Sequence, residues 1–149
     1  MADSVIRQGV GQYPVPEVTA TGFVRPKPLS ECRVAILTTA GLAHAGDESW
    51  QPNDQSFRVF ERDDRALKLG HLSPNFDRSG FFADINVAYP IDRLEEFEEE
   101  GVIGSVAPRH ISFMGAIDGN MSTLELDSGP AAAEVLKGDG VDVVLLTPV

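Results

Sequence analysis

Hydroxyl and imidazole side chains placed just past apolar runs are where this sequence could do chemistry. Thr38-Thr39-Ala40-Gly41 closes the run Arg33-Val34-Ala35-Ile36-Leu37, and Pro108-Arg109-His110-Ile111-Ser112-Phe113-Met114-Gly115 follows the run from Val102 to Ala107. Ligands of open parallel sheets gather at the carboxyl ends of the strands, so these groups are placed to hold a small polar molecule or to move a proton. His71 and Asp77, in Gly70-His71-Leu72-Ser73-Pro74-Asn75-Phe76-Asp77, add an imidazole and a carboxylate in a polar loop. The candidate substrate-binding set is Thr38, Thr39, Gly41, His71, Asp77, His110 and Ser112. Each has a structural alternative. Threonines at a strand end can bond locally, a glycine lets the backbone turn tightly, and a loop histidine can be a surface group.

No catalytic nucleophile stands among these residues. The only cysteine, Cys32, precedes the first apolar run and so lies at the wrong end of a sheet for catalysis; it reads as an inert thiol and excludes an internal disulfide. His44, His71 and His110 share no helical or hairpin ligand spacing, and no metal site is expected from them. Thr39-Ala40-Gly41-Leu42 lacks both the glycine pattern of a dinucleotide fold and the Lys-Ser/Thr of a P-loop.

The elements that must position the candidates follow from patterning. Residues 1–30 are rich in Pro and Gly and end in Pro26-Lys27-Pro28, which reads as an extended arm before an α/β domain over 31–149. The runs Arg33 to Thr38 and Val141 to Leu146 are continuously apolar, the mark of strands covered on both faces. Helices are predicted over Asp92 to Glu100, stopped by Gly101, and over Pro130 to Lys137, stopped by Gly138. Val102 to Ala107 reads as a strand, and the alternating Ser56 to Glu61 as an edge strand or hairpin arm. Helix then strand, twice, predicts a mostly parallel sheet with flanking helices, Rossmann-like and three-layered, incomplete at its C-terminal side.

Charge and hydropathy narrow the partners. A net charge of -11 argues against nucleic acid, which needs clustered Lys and Arg. The block Glu95, Glu96, Glu98, Glu99 and Glu100 reads as a solvated helix face. No run approaches the ~20 apolar residues of a membrane span, and Met1 to Gln12 lacks the order of a signal peptide, so a cytoplasmic protein is expected.

The motifs together resemble the selenoprotein B family, the substrate-binding subunits of glycine, sarcosine and betaine reductases, with the related D-proline reductase subunit. The likeness runs from Pro28-Leu29-Ser30 through Val34 to Leu42, then Gly46-Asp47, Ser56-Phe57-Arg58-Val59, and His71 with Asp77. It is strongest at Asp84-Ile85-Asn86-Val87 with Tyr89 to Leu94, and at Gly101 to His110 with Ser112-Phe113-Met114-Gly115. It ends on Gly140-Val141-Asp142 and Leu145 to Val149. The resemblance implies reductive cleavage of a C–N bond in a small amine or amino acid. It also implies other subunits of a reductase complex and a thioredoxin-like reductant. In the family a selenocysteine or cysteine directly follows the Thr-Pro-Val run, so the catalytic residue is expected immediately after Val149. A UGA codon read as stop would give this end, and a natural split of the gene is the rival explanation; one further codon of DNA distinguishes them. Such a chain is expected to expose apolar surface and to aggregate or pair with itself. The alternative function is a non-catalytic subunit that binds a small amine or amino acid and docks on a thiol-bearing partner.

Overall fold

The computed structural model describes residues 24–74, 77–117 and 119–149, together with positions 4, 5, 8, 12 and 22. Most of the expected arm lies outside the described residues. A short 3-10 turn, Leu29–Glu31, leads into the fully buried Cys32, whose thiol lies 3.4 Å from the carbonyls of Lys27 and Pro28.

Strand β1, Arg33–Thr38, is the centre of the sheet. Its even-numbered residues turn their backbone to one neighbour, through Val34 O to Ala107 N and Ile36 N to His110. Its odd-numbered residues turn to the other, through Arg33 O to Asp142 N. After β1 the chain forms β2 (Leu42–His44), β3 (Phe57–Glu61) and β4 (Leu67–Leu69), then helices α1 (Ser79–Ala83) and α2 (Ile91–Glu99). It continues through β5 (Ser105–Val106), β6 (Arg109–Phe113), α3 (Gly129–Gly138) and β7 (Val143–Thr147). A π-helical turn, Leu124–Ser128, precedes α3.

Strands β5 and β6 are one strand interrupted by a bulge. Both pair parallel with the same edge of β1, but the three-residue step from Val34 to Leu37 is matched by a five-residue step from Val106 to Ile111. Pro108, which has no N–H to offer a ladder, lies at the break. Strand β7 pairs parallel with the opposite edge of β1, from Val34↔Val143 to Thr38↔Thr147. Strand β3 closes the far side, antiparallel to β6, as an edge strand. The α/β class therefore holds, with a sheet of mixed strand direction and few helices. Strands β2 and β4 make a separate antiparallel pair.

The alternation along β1 divides the core in two. Val34 and Ile36 join Phe60, Ile91 and Leu94, so α2 lies on that face. Ala35 and Leu37 join Ile111, Ala132 and Leu136, so α3 lies on the other. Full burial of Ile36 or Ile111 contributes about 2 kcal/mol each. Both helices end within a residue or two of where their stop signals stand. Gly101 takes φ +72 and lets Val102 N reach Phe97 O at 2.9 Å, while α3 carries Pro130 in its first turn. Strand β7 is not covered on both faces as its composition suggests, since Leu146 is 59% exposed. Among the described residues no helix is long and apolar enough to cross a membrane.

Candidate functional site

The ends of β1, β6 and β7 meet at one point. The Thr39 hydroxyl accepts a hydrogen bond from Val149 N at 2.9 Å and reaches Val149 O at 3.3 Å, so one side chain grips both polar atoms of that residue. Gly115 N donates to Thr39 O at 2.9 Å. A Cβ on Gly115 would stand 2.9 Å from Val149 O, 3.0 Å from Thr39 O and 3.0 Å from His71 Nε2. Only glycine lets these three groups converge, and their convergence defines the site.

His71 is brought there by two glycines. Gly41 adopts φ +61, and its carbonyl accepts from Gly70 N at 2.8 Å, which draws the β4 end against the β1 end. The ring of His71 is buried, and its Nδ1 accepts from Ser73 N at 3.2 Å. Burial first, and then the charge of Arg78, lower the pKa of His71 below the usual histidine value. The ring is therefore neutral at pH 7, and with Nδ1 accepting, its proton sits on Nε2, the nitrogen nearest Gly115. A neutral imidazole so placed can donate a hydrogen bond from Nε2 toward the end of β7. On its other flank His71, with Trp50, Lys68 and Gly70, lines a pocket of about 330 Å³.

The remaining sequence candidates are placed apart from this point. Thr38 is fully buried; its hydroxyl donates to Thr147 O and accepts from Ala40 N, both at 3.2 Å, closing the strand end. The buried Ser112 hydroxyl accepts from Leu42 N at 2.9 Å and so ties β2 to β6. Asp77 is exposed and caps the first turn of α1 through Ser79 N (2.9 Å) and Ser79 Oγ (2.7 Å).

His110 lies within β6 rather than beyond a strand, because the bulge at Pro108 disguises the continuation of the ladder. At that bulge β1 has a donor without a backbone partner on β6, and His110 Nδ1 accepts it, from Ile36 N at 2.9 Å. Burial first, then the Arg62 and Arg65 charges, push the His110 pKa down to about 4. Its ring meets Tyr89 edge-on at 5.6 Å between centroids. Arg109 beside it is held by Asp139 at 2.6 and 2.9 Å.

Gly115 and the backbone of Val149 are site groups that residue type alone does not announce. The signal for Gly115 was available: it closes a strand-end motif with a residue that carries no side chain. His44, outside the candidate set, is half-exposed in β2 and bonds Asp64 at 3.0 Å.

Residues 10–149 match the family described as glycine/sarcosine/betaine reductase selenoprotein B. The chain belongs to this family. Among curated proteins it is 35% identical over 122 residues to the D-proline reductase subunit gamma of Acetoanaerobium sticklandii, covering 81% of this chain and 50% of that one. It is 28% identical over 146 residues to the betaine reductase complex component B subunit beta of Peptoclostridium acidaminophilum, covering 91% and 32%. The sarcosine counterpart from the same organism is 26% identical over 156 residues, with the same coverage. The chain thus spans between a third and a half of the length of these relatives. No solved structure matches.

Proposed function

We propose that this chain is the substrate-binding part of a cytoplasmic reductase of the glycine, sarcosine, betaine or D-proline type. The observation that carries the reading is the convergence of Thr39, His71 Nε2, Gly115 and Val149 at the carboxyl ends of three parallel strands. With no side chain on Gly115, the end of β7 closes directly against Thr39 and His71, which places a group at the end of β7 beside both. A selenol or thiol there supplies the nucleophile for displacing an amine from the carbon next to a carboxylate. That nucleophile is not Cys32, which is fully buried ahead of β1.

This chain's residues do the rest. Thr39 fixes the backbone at the end of β7 through two contacts, so the attacking group is held in one orientation. His71, neutral, donates a hydrogen bond from Nε2 to the substrate carboxylate, and the departing amine takes its proton from solvent. Thr38, Gly41 and Ser112 keep the three strand ends and the β2 arm in register, and His110 secures the ladder beneath them. Other subunits and a thioredoxin-like dithiol return the site to its reduced form. The alternative, a non-catalytic amine-binding subunit serving a thiol on a partner, uses the same pocket.

The test is a complex purified through this chain and supplied with dithiothreitol and, in turn, glycine, sarcosine, betaine and D-proline. Cleavage of the C–N bond of one of them, lost in His71→Phe and in Thr39→Val, supports the reading. Saturable binding without cleavage favours the alternative, and neither binding nor cleavage overturns both.

A further inference from the structure

Among the described residues the sheet has two outer edges, those of β3 and β7. Strand β7 gives its inner edge to β1 throughout its length, and among the described residues no strand pairs with its outer edge. Beside it, on the face that carries α3, runs a groove of about 740 Å³ floored by Leu37, Phe113 and Val144 and walled by Ala133 and Leu136. Among the described residues, the polar side chains lining it are Thr39, Lys137 and Asp142. A zwitterionic amino acid there would leave charge facing apolar walls, at a cost of several kcal/mol. The groove suits an apolar helix stripe instead.

Chain handedness identifies the occupant. The connection from β1 to β5 leaves β1 on its even-residue edge and carries α2 on the Ile36 face. The connection from β6 to β7 travels the opposite way across β1 and carries α3 on the Leu37 face. Reversing both direction and face preserves hand, so the two crossovers share one hand, as parallel crossovers do. A further unit added beyond β7 travels in the same direction as the second crossover. Its helix must then fall on the α3 face, which is where the groove lies.

We propose that the groove and the outer edge of β7 receive one further helix-then-strand unit of the family polypeptide. Its helix lies beside α3 with an aliphatic stripe in the groove, and its strand pairs parallel with β7, extending the sheet toward a Rossmann-like, three-layered form. The source is the part of the relatives' length that the matched stretch leaves uncovered, half of it in the D-proline reductase subunit gamma. This inference rests on family membership and not on the reading of activity, so it stands or falls without a turnover assay.

The test pairs the 149-residue chain with the unmatched half of that D-proline reductase subunit, both co-expressed as separate chains and fused into one, and reads amide hydrogen exchange. The expected result is slowing of at least about tenfold at Val143 to Thr147 and around Leu136, relative to the chain alone. Ala133→Arg, which projects a long side chain into the groove, is expected to cancel that slowing while leaving thermal unfolding of the isolated chain unchanged. Unslowed exchange at β7 in both formats overturns the proposal. So does a homodimer of the 149-residue chain that protects β7 by itself, which assigns the surface to a second copy.

Discussion

Replacing His110 isolates a pH dependence that the fold itself builds in. Its ring accepts the Ile36 N–H in the fully buried bulge, and its pKa falls from the ordinary 6.5 to about 4. The unfolded chain therefore takes up a proton below pH 6.5 that the folded chain refuses until about pH 4. This group's contribution to stability is fully present above pH 6.5 and is lost as pH falls toward 4. The whole difference is about 3 kcal/mol, of which about 2 kcal/mol is lost between pH 7 and pH 5. His110→Asn places an amide oxygen near the position of Nδ1 and keeps an acceptor that does not titrate. Urea unfolding, followed by the fluorescence of the single tryptophan Trp50, should show wild type losing about 2 kcal/mol more than His110→Asn between those pH values. His71, also held neutral, is present in both proteins and cancels in the comparison. His110→Leu removes the acceptor altogether and should cost about 1–3 kcal/mol at pH 7 through the stranded Ile36 donor. Equal pH responses in wild type and His110→Asn would refute the reasoning.

Five further outcomes follow from the geometry. Gly115→Ala puts a methyl 2.9 Å from Val149 O and about as close to Thr39 O and His71 Nε2; a loss of about 1–3 kcal/mol in thermal unfolding is expected, with the Val149 amide shift displaced in NMR spectra. Thr39→Val removes both contacts to Val149, and the Val149 amide should then exchange at the rate of an open chain end while the β1 amides keep their protection. Cys32, fully buried, should react with Ellman's reagent only as fast as the protein unfolds; prompt reaction would mean that the start of β1 is open. Leu146→Asp, at a 59% exposed position, should change stability by less than about 0.5 kcal/mol and reduce self-association in size-exclusion chromatography, whereas the fully buried Ile36→Ala should cost about 2–5 kcal/mol.

What the sequence made legible was whatever one stretch of chain decides for itself. The continuous apolar run marks β1 from Arg33 to Thr38, and Gly101 and Gly138 stop α2 and α3 near the positions their signals mark. The alternation from Ser56 to Glu61 signals the edge strand β3. Long-range pairing was not legible. Pro108 splits one strand into two short ones, so the sequence reads the strand as ending at Ala107 and His110 as lying just past it, although its imidazole completes the ladder of a strand 74 residues away. Thr38 and Ser112 carry the right chemistry for a pocket, yet their hydroxyls meet backbone groups that only the folded sheet brings near. Gly115 and the Val149 backbone are the converse: they have no side-chain chemistry to notice, and their place in the site arises from where three strands end.

The most direct test of the candidate site is an amide NMR titration of the 149-residue chain with glycine, sarcosine, betaine and D-proline in turn. Saturable shifts are expected with at least one of them, centred on Thr39, His71 and Gly115 and abolished by Gly115→Ala. Shifts confined to other surfaces, or none that saturate with any of the four, would contradict the assignment of this strand-end cluster as the substrate site.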